Sequence, residues 1–293
     1  MATMTAPTPT DNVRTRRTYT FNRPVGPLVV DVWEAAQPGG ASPILLIHGW
    51  GGTGSYWEET ARKLSATNQV IVPDLPGTGR SQPVTTAQDM FDQVETLAFI
   101  LDELDLQRVQ VVGHSMGGAM ALLLTEARPD YIERNILTSL TFFRTLEQER
   151  IYRAVMRGFQ LTIRFRPDWL ASVPGVSNMM ARNYFYRIPE DKAALKQGLL
   201  DYLQLDGATA MACARNATDP RIKEAGIQAQ APTLLIACRQ DKMMPLENVD
   251  YTADLIPHCD VRWIEDCGHL PMVEKHDEFM DILYTFLSLG QDA

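Results

Sequence analysis

Short runs of aliphatic and β-branched residues alternate with longer amphipathic stretches along most of the chain. Apart from the candidate strand Cys259–Ile264, which alternates in polarity, the runs Pro43–Ile47, Val109–Val112, Ile136–Leu140 and Pro232–Ala237 are apolar almost without a break. That is the pattern of strands covered on both faces, whereas half-exposed strands alternate in polarity. Before them, Arg17–Phe21 and Leu28–Glu34 are rich in β formers and predict an antiparallel opening pair, and Gln37-Pro38-Gly39-Gly40 is a turn signal. Strand following helix following strand predicts an α/β fold with a mostly parallel sheet between helical layers. The alternation stops after Leu140. From Phe142 to Thr218 the pattern is helical throughout, and a last helix is expected from about Met272 to Leu289.

Two places in this pattern concentrate chemistry. Gly113-His114-Ser115-Met116-Gly117 joins the strand at Val109–Val112 to the helix former Gly118–Leu124. A serine on so sharp a turn holds its hydroxyl away from the backbone, and small neighbours are needed because strand and helix pass closely there. The helix start also directs backbone N–H groups toward the site. Alone, the string equally suits a glycine-rich turn capped by serine. Its companions change that balance. Ile44–Ile47 runs into His48-Gly49-Trp50-Gly51-Gly52, a loop flexible enough to bring the Trp50 N–H to a carbonyl oxygen, paired with the N–H of Met116, while the His48 side chain reads as structural. Asp241 follows the strand ending at Ala237 and is the candidate acid, preferred over Asp219, Asp260 and Asp266. His269, in Asp266-Cys267-Gly268-His269-Leu270-Pro271, lies on a loop at a strand end downstream of both and is the candidate general base; His258 and His276 read as surface residues.

With these segments in the order serine, acid, histidine, the chain resembles the α/β-hydrolase fold superfamily, in its serine carboxylesterase and lipase branch; Gly-His-Ser-Met-Gly-Gly and Gly-His-Leu-Pro look most like monoacylglycerol lipases. Asp74-Leu75-Pro76-Gly77-Thr78-Gly79-Arg80-Ser81 looks like the family's turn after its next strand, and Arg239 stands where relatives often have glycine. The resemblance implies an eight-stranded, mostly parallel sheet carrying a helical cap. The resulting division is 1–16 as an N-terminal tail, 17–141 and 219–293 as the core, and 142–218 as the cap. It implies a catalytic set of Ser115, Asp241 and His269, an oxyanion hole of Trp50 and Met116, and hydrolysis of carboxylic esters of small to medium or lipid-like acyl groups, with no cofactor and no metal. Candidates for lining the substrate pocket are Gly49, His114, Phe142, Phe143, Met243 and Leu270. Carbon–carbon bond hydrolysis of the meta-cleavage type, acyl transfer or perhydrolysis, and a receptor role on the same fold stay open. Leu270 stands where carbon–carbon hydrolases commonly carry an aromatic residue.

Composition narrows the setting. A net charge of −9 offers nothing to nucleic acid, and no apolar run reaches the length of a membrane span. The Thr- and Pro-rich start lacks the apolar stretch of a secretory signal, and the four cysteines have neither metal-ligand nor redox spacing, so reduced thiols and a cytoplasmic location are expected. The charge is unevenly spread: 142–218 holds nine arginines and two lysines against seven carboxylates, a net of +4, which leaves −13 for the rest. On a helical wheel Ile151, Tyr152, Val155, Met156, Phe159 and Ile163 fall on one side of the first cap helix, and Arg150, Arg153, Arg157 and Arg164 on the other. The expectation is an apolar face packed on the core beneath a solvated arginine face. The sharper alternative is a basic lid that contacts anionic lipid surfaces. The oligomeric state is left open.

Overall fold

A computed structural model describes residues 15–36, 41–163 and 166–288. Its strands are β1 (Arg16–Arg23), β2 (Gly26–Trp33), β3 (Ile44–Ile47), β4 (Val70–Asp74), β5 (Val109–His114), β6 (Ile132–Thr138), β7 (Thr233–Cys238) and β8 (Cys259–Ile264). They form one open sheet in the order β1-β2-β4-β3-β5-β6-β7-β8, antiparallel across β1–β2 and β2–β4 and parallel elsewhere. The opening pair forms as expected, and Arg16, placed at the end of the tail on sequence grounds, already lies in β1 opposite Trp33. The turn expected at Gln37–Gly40 and the tail residues 1–14 lie outside the described residues.

The continuous apolar strands divide their side chains between two cores. Leu45 and Ile47 of β3 face a core built with α2 (Met90–Glu103), α3 (Met116–Ala127), α8 (Pro220–Gln228) and α9 (Val249–Leu255). Ile44 and Leu46 face the other, built with Trp57, α1 (Glu58–Leu64) and α11 (His276–Ser288). Burial on both faces is why these strands read as unbroken apolar runs. The single C-terminal helix expected from Met272 is instead a short α10 (Pro271–Glu274) and α11, broken at Lys275. Glu274 turns back to accept from the N–H groups of Gly268, Tyr186 and Arg187, and the chain restarts its helix one residue later.

Between β6 and α8 run α4 (Leu146–Ile163), a 3₁₀ turn (Asp168–Ser172), α5 (Val176–Tyr184), α6 (Lys192–Gln204) and α7 (Gly207–Asn216). These inserted helices are tied to the sheet by polar contacts: the Trp50 indole N–H donates to the Ala210 carbonyl, and Thr53 and Ser55 both donate to the buried Asp201 carboxylate. The expected packing of the α4 apolar face holds only in part. Ile163 is buried, but Ile151 and Val155 are 58% and 54% exposed, beside the exposed Arg150, Arg153 and Arg157. Ile163 packs on Leu205, Ala210 and Met211 of the inserted segment, and Tyr152 packs on Phe143 and donates to the Ala214 carbonyl, so α4 is held along one edge while Ile151 and Val155 stay uncovered. Arg164 and the side chain of Phe159 lie outside the described residues. Among the described residues no helix is long and apolar enough to cross a membrane.

Candidate active site

The serine turn is built by exclusion. Ser115 sits at φ 53°, ψ −118°, a region costly for any residue with a Cβ. The close approach around it is the reason for the flanking glycines. A Cβ on Gly113 would meet the Gly117 carbonyl at 2.3 Å, and one on Gly117 would meet the Ile47 and His48 carbonyls at 2.4 and 2.7 Å. The Ser115 N–H donates to the Thr138 carbonyl at 2.7 Å, which ties the turn to the end of β6. Met116 opens α3, so its N–H has no acceptor within the helix. Gly49 presses its backbone against the same turn, 3.2 Å from Ser115 Cβ were it to carry a Cβ of its own, which brings the Trp50 segment beside Met116.

His269 is held from several sides. Its Nδ1 lies 2.8 Å from Asp241 Oδ2, with both side chains almost fully buried. Its N–H donates to the Tyr184 carbonyl of the inserted helices at 2.6 Å. Its carbonyl accepts from Ser139 Oγ and from His114 Nε2. Asp241 also accepts from the Met243 and Met244 N–H groups. Burial would raise the Asp241 carboxyl, but the charge and hydrogen bond of His269 and these two amides outweigh it and hold the group below the usual aspartate value. An ionised Asp241 requires the proton of His269 on Nδ1, which leaves a lone pair on Nε2 able to accept a proton. The His114 ring centroid lies 4.8 Å from that of His269, so His269 stands beside the serine turn. Among the described residues no hydrogen bond joins the Ser115 hydroxyl to His269; such bonds commonly tighten only with substrate present.

His114 itself is buried and neutral. Desolvation, assisted by the nearby His269, lowers its pKa to about 3. Because a carbonyl can only accept, Nε2 carries the proton that goes to His269, and Nδ1 accepts from the Tyr56 hydroxyl at 3.0 Å. That hydroxyl in turn accepts from the Gly49 N–H at 2.5 Å. One continuous chain therefore links the loop of Trp50 to the backbone of His269. His48 is also buried and depressed by desolvation; it donates from Nδ1 to the Gly49 carbonyl and accepts from the Leu75 N–H, a structural role.

A cavity of about 30 Å³ opens beside the Trp50 loop, lined by Gly49, Trp50 and Met116 together with Gln93, Met120, Leu205, Thr209, Ala210 and Cys213. Of the six pocket candidates, Gly49 lines it. Phe142 instead packs in the core against Gly226, because its N–H and carbonyl are taken by Thr252 and Asn248 at the edge of α9. Phe143 packs on Tyr152, Met243 is exposed beside Asp241, and Leu270 packs under α10 on the second core. His114 supports the turn rather than this cavity. Asp219 caps α8, Asp260 lies in β8, and Asp266 is half-buried and pairs with Arg187, so none of the three reaches His269. His258 is exposed; His276 is half-buried against the Met272 carbonyl rather than on the surface. Arg239 is explained by its stacking over Trp263 at 3.6 Å and its pairing with Glu265. All four cysteines are free thiols. Gln93 also lines the cavity without being a sequence candidate; a glutamine among Met90, Val94 and Leu97 on the buried side of α2 breaks the apolar period and is the available signal.

Residues 42–276 match the alpha/beta hydrolase fold family over four-fifths of the chain. The chain belongs to that family. Among curated relatives of this hydrolase, the pimeloyl-[acyl-carrier protein] methyl ester esterase of Aliivibrio fischeri (strain MJ11) is 26% identical over 270 residues, 87% of this chain and 96% of the relative. Lipase 1 of Psychrobacter immobilis is 28% identical over 251 residues, 84% of this chain and 77% of the relative. The solved esterase EaEST of Exiguobacterium antarcticum superposes with a TM-score of 0.75 at 16% identity, covering 89% of this hydrolase and 96% of that chain, which speaks for the fold alone.

Proposed function

We propose that this α/β hydrolase cleaves carboxylic esters through an acyl-enzyme on Ser115. The observation that carries the reading is the buried 2.8 Å pair of His269 Nδ1 and Asp241 Oδ2, standing beside a serine on a strained strand-to-helix turn. In this mechanism His269 Nε2 takes the Ser115 proton as Oγ attacks the ester carbonyl, and the oxygen's developing charge is met by the N–H groups of Trp50 and Met116. His269 then protonates the leaving alcohol. Water, deprotonated by the same nitrogen, attacks the acyl-enzyme and releases the acid. Asp241 stays ionised and holds the imidazole in one tautomer. Every group in these steps belongs to the chain, the ester or water. Relatives named as a methyl ester esterase and a lipase support the ester bond as the target. A cavity of about 30 Å³ favours short acyl groups over long ones.

The test is p-nitrophenol release from acyl esters running from acetate to palmitate, by wild type and Ser115→Ala. Repeated turnover in wild type, best on the shortest chains and lost in the variant, is expected. A single release followed by arrest would move the weight to a receptor role. No release from any ester would overturn the reading and leave carbon–carbon bond hydrolysis as the chemistry to assay.

A further inference from the structure

The open sheet ends at β1 and β8. The bonds from β8 to β7 fix which of its backbone groups stay open. The Thr233 N–H donates to the His258 carbonyl and the Arg239 N–H to the Ile264 carbonyl, both at 3.0 Å. With Thr233 opposite Cys259 and Cys238 opposite Ile264, this turns the backbone of Asp260, Arg262 and Ile264 toward β7. Cys259, Val261 and Trp263 therefore aim their N–H and C=O groups away from the sheet. The exposed Arg262 side chain bears this out, because it donates to the Val261 carbonyl at 3.2 Å from the open side.

Such an edge is a template for another strand. The ladder of β8 on β7 has no bulge that would bend the edge away, and Pro257 falls before the strand begins. Charged side chains block an edge when the arriving strand brings the same sign. On β8 the signs differ. Asp260 and Arg262 are both exposed, two residues apart and so on one face. Two copies of β8 can pair antiparallel only where outward-facing residues oppose each other, and the charges separate these registers. Centred on Asp260, aspartate would meet aspartate. Centred on Arg262, arginine would meet arginine. Centred on Val261, Asp260 of each copy meets Arg262 of the other in a non-hydrogen-bonded site, with Cα atoms about 4.5 Å apart. The same register gives every open N–H and C=O of Cys259, Val261 and Trp263 a partner. The other edge offers no such match, since the charged residues of β1 are Arg16, Arg17 and Arg23, all of one sign.

We propose that the β8 edge is an isologous interface, at which two copies of this chain join their β8 strands antiparallel across a two-fold axis at Val261. Reciprocal pairs of Asp260 and Arg262 fix the register, and one sheet runs on into the other. Arg262 gives up its bond to the Val261 carbonyl for the aspartate of the second copy, which frees that carbonyl for the new ladder. The inference is independent of the ester chemistry proposed for Ser115.

The test is sedimentation velocity of the whole chain over a range of concentrations. Wild type should form a concentration-dependent dimer that weakens as salt screens the exposed pairs. Asp260→Arg and Arg262→Asp each turn two attractions into two repulsions and should raise the dimer dissociation constant by roughly tenfold or more. Mixed in equal amounts, the two variants should recover dimer, because one then brings only positive and the other only negative charge to the interface. A wild type that is monomeric throughout the accessible range would overturn the inference. A dimer that neither variant weakens would lie on another face and overturn it too, and folded variants that do not recover on mixing would exclude this register. If a variant does not fold, amide exchange in wild type decides: the Cys259, Val261 and Trp263 amides should slow as the chain is concentrated, and unchanged exchange overturns the pairing.

Discussion

Removing one oxygen at Tyr56 tests whether the chain of hydrogen bonds beneath the serine turn stabilises the fold. In Tyr56→Phe the ring stays, with its packing on Trp57 and its edge-on contact with His114. What goes is the hydroxyl that accepts from the Gly49 N–H and donates to His114 Nδ1. His114 is buried and neutral, and its other nitrogen is committed to the His269 carbonyl, so the ring cannot turn over to find a new partner without breaking that bond. Two groups are left unpaired at about 1–3 kcal/mol each, and with partial relaxation the expected loss is about 2–4 kcal/mol. At about 2.1 cal/mol/K per residue the unfolding entropy of a chain this long is about 0.6 kcal/mol/K, so Tm should fall by about 3–7 °C. Differential scanning calorimetry at neutral pH measures this, with Tyr284→Phe as the control, since Tyr284 is 39% exposed. A shift of Tyr56→Phe no larger than that of the control would refute the reasoning, because the hydroxyl would then have been replaceable by water. Loosening of the Gly49 loop should also lower kcat on esters more than it raises KM, since in the proposed mechanism the Trp50 N–H acts on charge that develops only in the transition state.

Five further outcomes are expected. Gly117→Ala places a Cβ 2.4 Å from the Ile47 carbonyl, where only backbone can give way, and should cost about 3 kcal/mol or more, seen as lost soluble yield or a much lower Tm. Asp241→Asn should lower kcat by about 10³–10⁴-fold by releasing the wrong His269 tautomer, with less than tenfold as the contrary result. Because the folded Asp241 carboxyl sits below the ordinary value, it adds stability above about pH 4 that is lost as pH falls through the lower folded value; the Tm gap between wild type and Asp241→Asn should hold from pH 7 to 5 and close in more acid solution. Asp201→Ala deprives Thr53, Ser55 and Gln197 of their acceptor and should open the inserted helices to limited proteolysis within 146–216, at protease doses that leave wild type intact. The exposed Ile151 and Val155 beside Arg150, Arg153 and Arg157 should give salt-sensitive co-sedimentation with anionic vesicles, abolished by changing the three arginines to glutamate; equal binding to neutral vesicles would remove the electrostatic part.

What was legible in the sequence is what local chemistry dictates. Unbroken apolar runs of strand length imply burial on both faces, and the two cores on either side of β3 and β5 are that implication realised. Glycines on either side of Ser115 imply a turn with no room for a Cβ, and the 2.3–2.7 Å approaches are that turn. The pairing of Asp241 with His269 follows from placing each just past the end of a neighbouring parallel strand, a rule that needs chain order but no coordinates. The C-terminal helix was misjudged at Lys275 because its break comes from Glu274 reaching across to Gly268 and to the inserted helices, contacts that periodicity does not encode. Phe142 leaves the expected pocket, and Gln93, for which the sequence raised no expectation, joins the cavity lining, for the same reason. An aromatic at the start of the insertion is drawn into the core by partners on α9, while a glutamine on the buried side of α2 is brought to the cavity by the crossover that sets α2 and α7 side by side. The chain from Gly49 through Tyr56 and His114 to the His269 carbonyl spans more than 200 residues of sequence and exists only because the strand order places β3 beside β5. Sequence pattern determines which segments must be strand, turn or helix, since those preferences are settled within a few residues. Which side chains meet is decided by the sheet order and by the packing of the inserted helices, because hydrogen bonds and cavities depend on distances between segments that the chain visits far apart.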